Sequence, residues 1–73
     1  MLPIHTFILE TVNNNSGGIK FSELVRKVTA WSIENGLKPI DSNDLEVLVK
    51  EIPELKTLEY HWRMFVYRRT NNE

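Results

Sequence analysis

The sequence predicts an α+β domain: three helices and a short, two- to three-stranded antiparallel sheet ending in a β-hairpin. Three observations carry this. Apolar residues recur at helical spacing in three separate segments. The stretch LEYHWRMFVYRR, residues 58–69, concentrates aromatic side chains that suit a pleated surface. The chain has 73 residues and no cysteine, so one small core must hold it together by packing alone.

Helix one is expected over residues 3–13, where Ile4, Phe7, Ile8 and Val12 share a face. Pro3 suits the first turn, where its missing N–H would have no partner. The run Asn13-Asn14-Asn15-Ser16-Gly17-Gly18 ends the helix, because Asn and Gly tolerate positive φ. Ile19-Lys20-Phe21 then reads as a one-rung strand.

Ser22 is placed as the N-cap of a second helix running to Asn35, with Leu24, Val25, Val28 and Trp31 inward. Gly36 fits the left-handed position after that helix, with Leu37 folding back in a Schellman motif. Pro39 disfavours helix at Lys38 and leaves a stiff connector. Asp41 is the next N-cap, with Ile40 and Leu45 spaced as a hydrophobic staple. Helix three, expected over 41–52, turns Leu45, Leu48, Val49 and Ile52 inward and is ended by Pro53.

For the last segment two arrangements stand. A hairpin with a four-residue loop at 61–64 pairs Tyr60 with Phe65 and Leu58 with Tyr67, all four on one face. Thr57, Glu59, Val66 and Arg68 then share the other face, with Glu59 beside Arg68. A single long strand would instead turn Leu58, Tyr60, Trp62, Met64 and Val66 inward. The hairpin is preferred, because the long strand exposes Phe65 and Tyr67 and leaves an unpaired edge. Trp62 is either the solvated tip of that hairpin or folded down onto a helix. Thr70 to Glu73 reads as a frayed tail on a single domain covering 1–73.

The net charge is −1, which excludes a chain that coats nucleic acid by charge alone. Its distribution is uneven. Asp41, Asp44, Glu46, Glu51, Glu54 and Glu59 make the stretch 41–59 acidic, whereas 61–69 carries Arg63, Arg68 and Arg69 and no acid. No apolar run approaches a membrane span, and the N-terminus lacks the pattern of a secretory leader, so a soluble cytoplasmic chain with no membrane partner is expected. His5 and His61 have no second ligand at metal spacing and are read as surface histidines. No local nucleophile, base and acid motif is present, and a domain of this size has little room for a deep pocket. The expectation is therefore no enzyme activity, no cofactor, no metal and no small-molecule substrate.

The order helix, short strand, helix, tight connector, helix, hairpin resembles the winged helix-turn-helix fold over residues 3–69. The resemblance rests on element order and spacing. It makes the third helix the recognition helix and 55–69 the wing, and it implies duplex DNA as a partner, with a transcription-associated role. Under that reading Asn43 and Lys50 face bases, while Lys20, Arg26, Arg63 and Arg68 reach phosphates. The acids of the third helix oppose this docking, because phosphates line both sides of a major groove. The alternative is a protein-interaction module that docks on a basic protein or on its own copy. It would use the wing tip His61, Trp62 and Arg63, or the acidic third helix around Val47.

Overall fold

The computed structural model describes residues 2–69; residues 70–73, where the frayed tail is expected, lie outside the described residues. The elements run α1 (Pro3–Asn14), β1 (Gly18–Lys20), α2 (Phe21–Glu34), α3 (Ser42–Lys50), β2 (Leu55–Tyr60) and β3 (Arg63–Arg68). The strands form one antiparallel sheet in the order β1-β3-β2. The α+β class therefore holds, and this order and topology are compatible with a winged helix-turn-helix.

The core lies between the helices and one face of the sheet. Ile8 and Val12 of α1, Leu24 and Val28 of α2, and Leu45 and Val49 of α3 meet Ile19, Leu55 and Val66 from the three strands. Ile52, just past α3, closes one end. Each helix turns the stripe its apolar spacing predicts toward the core, with Ile4, Phe7, Val25 and Leu48 partly covered. Helix α3 stops at Lys50, so Ile52 of the expected stripe reaches the core from past the helix end. Trp31 is half-buried and stacks on Phe7 with ring centroids 5.3 Å apart, which ties α1 to α2.

The helix ends follow from local chemistry. Asp41 caps α3, its Oδ1 accepting from the Asp44 backbone N–H at 2.9 Å. Ile40 and Leu45 both pack on the core, as a staple requires. After α2, Gly36 takes φ 71° and the Leu37 N–H donates to the Ser32 carbonyl at 2.8 Å, while the Gly36 N–H donates to Ile33 at 3.1 Å. These are the two bonds of a Schellman motif. Leu37 itself remains exposed. At the end of α1 Ser16 takes φ 61° and the Gly17 N–H reaches the Val12 carbonyl at 3.0 Å, the wider-spanning of the two bonds of that motif. At both ends an asparagine side chain, Asn15 or Asn35, donates to a last-turn carbonyl, of Thr11 or Trp31, at 2.8 Å.

Three local expectations are corrected. First, Ser22 does not cap α2: the helix begins at Phe21, and Lys20 occupies the N-cap position without a side-chain cap bond. Second, β1 covers Gly18–Lys20 rather than 19–21. Both shifts have one cause: pairing of Gly18, Ile19 and Lys20 with Tyr67, Val66 and Phe65 carries Ile19 into the core and leaves Phe21 to start the helix.

Third, the hairpin forms, but with a two-residue turn at His61-Trp62, so Tyr60 pairs with Arg63 and Leu58 with Phe65. Glu59 lies opposite Met64 and Arg68 opposite Leu55, so the expected Glu59–Arg68 pair does not exist. The shorter turn adds one more rung to the ladder, and its backbone twist matches that of the flanking strands. A register slip of two residues keeps every side chain on its face. Leu58, Tyr60, Phe65 and Tyr67 thus still share one face, and that face points to solvent, because Val66 on the opposite face is fully buried.

Candidate functional site

The tip of the β2–β3 hairpin has an unusual backbone. His61 and Trp62 take φ 51° and 65°. Positive φ at both central residues is the type I′ pattern, which favours Asn-Gly, yet here it is adopted by two large side chains. Such a conformation costs roughly 1 kcal/mol or more per non-glycine residue. The His61 ring meets the Tyr60 ring edge-on at 4.1 Å. Trp62 is 104% exposed, so the structure settles on the solvated tip rather than a side chain folded onto a helix.

Beside the tip runs a groove lined by Lys20, Phe21, Ser22, Trp62, Arg63 and Met64. Two cations line it and no carboxylate does. The groove also meets the first turn of α2, whose leading N–H groups lack a side-chain cap and carry the positive end of the helix dipole.

The other sequence-nominated cations are placed differently. Lys50 Nζ lies 3.3 Å from Glu46 Oε1, one turn earlier on α3. Arg26 lies 3.9 Å from Glu23 on the outer surface of α2. Arg68 sits at the far end of β3 from the tip, its backbone N–H donating to the Gly17 carbonyl at 2.7 Å. Asn43 is exposed in the first turn of α3, beside Asp44. Val47 is 58% exposed on the same helix. The expected DNA-contacting set therefore separates: Lys20 and Arg63 come together, while Arg26, Lys50 and Arg68 do not join them. Of the expected protein-docking set, His61, Trp62 and Arg63 are contiguous and Val47 stands alone on α3.

His5, expected at the surface, is mostly covered. Its Nδ1 accepts from the Leu2 N–H at 3.2 Å, which leaves Nε2 to donate to Glu51 Oε1 at 2.9 Å. This bond joins the start of α1 to the end of α3, and His5 has a structural task. Among the described residues no three His, Cys, Asp or Glu side chains gather as a metal site, and no helix is long and apolar enough to cross a membrane.

Sequence reasoning missed the solvent face of the sheet. Register partners share a face, so Lys20, Phe65 and Leu58 form one row, Gly18, Tyr67 and Lys56 a second, and Arg63 with Tyr60 a third. Parity along the strands had already grouped Leu58, Tyr60, Phe65 and Tyr67. The missing signal was the pairing of Ile19 with Val66, a contact across most of the chain that decides which face turns inward.

No family model, no curated protein and no solved structure matches this chain.

Proposed function

We propose that this chain is a winged helix-turn-helix domain that binds duplex DNA wing-first, in a transcription-associated or accessory role. Lys20 and Arg63 meet phosphates beside Trp62, and the acidic outer face of α3 turns away from the duplex. The observation that carries the reading is the segregation of charge. The groove at the wing holds Lys20 and Arg63 and no acid, whereas Lys50, the one cation of α3, is engaged by Glu46. Phosphates attract the first surface and are repelled by the second. Strain held at a two-residue tip that presents a bare indole is consistent with a contact made there.

The test is titration of duplex DNA at two salt concentrations with the unsubstituted chain and with Lys20→Ala and Arg63→Ala. Each substitution is expected to weaken binding and to lower the slope of log K against log salt by about 1. Slopes unchanged by either would remove these residues from the phosphate contacts.

A second reading has its own observation. Val47 is exposed on α3 with Asp44 and Glu46 on the same helix and Glu51 just past its end, an apolar centre with a mainly acidic rim that suits a basic protein surface. If α3 is the docking face of a module that does not bind DNA, Val47→Asp abolishes capture of a basic protein partner and duplex DNA does not bind at low salt.

A further inference from the structure

The outer face of an antiparallel sheet ordinarily carries polar side chains, because water covers it. Here it carries Leu58, Tyr60, Phe65 and Tyr67 as a contiguous block on β2 and β3. Leu58 and Tyr60 are more than half exposed, and Phe65 and Tyr67 are half-buried. Cations frame the block: Lys20 flanks Phe65, Lys56 flanks Tyr67 and Arg63 flanks Tyr60. Between Leu55 and Arg68 no acid occupies this face, since Glu59 pairs with Met64 on the opposite one; Glu54, opposite Arg69 one step beyond the strand ends, is the acid at its far margin. Gly18, beside Tyr67, adds no side chain to this face.

We infer that this face binds a single nucleic-acid strand, with unpaired bases stacking on Tyr60, Phe65 and Tyr67 and phosphates meeting Lys20 and Arg63. The inference rests on the nucleic-acid reading proposed above and extends the site from the wing tip across the sheet. Charge selects the occupant. A second copy docked face to face would set a patch framed by Lys20 and Arg63 against the same cations, because a two-fold contact places each patch on itself. A polyanion neutralises both. Among polyanions, a strand with unpaired bases also covers the rings, as sequence-tolerant single-strand binders do with aromatic side chains along a basic track. A duplex offers its phosphates but keeps its bases stacked inside.

The experiment uses the full chain and two probes: a fluorescein-labelled oligothymidylate of about 12 nucleotides, and a labelled mixed-sequence duplex. Affinities come from anisotropy, with a thermal melt for every variant. Leu58→Glu places an acid in the centre of the face, at a position that is more than half exposed. Tyr60→Ala removes an exposed ring. Tyr60→Ala is expected to weaken oligothymidylate binding about tenfold, the scale of one stacked base, and duplex binding by less; Leu58→Glu, in the row of Lys20, is expected to weaken binding of both probes. Duplex binding with no oligothymidylate binding, or oligothymidylate binding indifferent to both substitutions, overturns the sheet-face inference and leaves the wing reading standing. Binding of neither probe at low salt removes the wing reading and this inference with it.

Discussion

Lys50 Nζ and Glu46 Oε1 stand 3.3 Å apart on the outer face of α3. The pair is solvent-exposed and adds only a few tenths of a kcal/mol to the helix. Its importance is to function: the one basic residue on the helix that resembles a recognition helix already has a carboxylate neighbour. A helix entering a major groove would have to bring Glu46 and Asp44 between two lines of phosphates. The first prediction follows. Lys50→Ala changes duplex affinity by less than about twofold, whereas Arg63→Ala removes about one phosphate contact from the salt slope. Anisotropy titrations of the two variants side by side check this.

The strained tip makes stability and binding move in opposite directions. Trp62→Gly relieves the positive φ at that position and should stabilise the domain by roughly 1 kcal/mol. That corresponds to a rise in Tm of about 4–8 °C for a domain this small. The same change should weaken DNA binding. Trp62→Ala keeps the strain and should leave Tm nearly unchanged, because the indole buries nothing. A loss of Tm in both variants would show that Trp62 supports the fold.

Capping separates Asp41 from Ser22. Asp41→Ala removes a bond to the Asp44 N–H and should cost about 1 kcal/mol. Ser22 is exposed inside the first turn of α2 and makes no cap bond. Ser22→Ala should therefore stay within about 0.5 kcal/mol of the unsubstituted chain. Urea melts followed by circular dichroism distinguish the two.

The helices were legible in the sequence because their signals are local. Asp41, Gly36 and the stripe Leu45, Leu48, Val49, Ile52 each declare themselves within a few residues. The hairpin was legible as a hairpin, but its register was not. The type I′ turn at His61-Trp62 carries none of the Asn or Gly residues that mark such turns, and a turn of ordinary residues implied a longer loop. The orientation of the sheet was hidden for another reason. Burying Val66 rather than its aromatic neighbours depends on Ile19, a residue distant in sequence that pairs with it. The candidate site shares that limit. Lys20 and Arg63 were each visible as cations, yet only the β1–β3 pairing brings them to one groove.

The most direct test of wing-first binding is Trp fluorescence during duplex titration in a Trp31→Phe background, where Trp62 alone reports. The account predicts binding that alters Trp62 emission and weakens steeply between about 50 and 200 mM salt, as phosphate contacts require. No binding at the lower salt, or binding that leaves Trp62 emission unchanged, would contradict it.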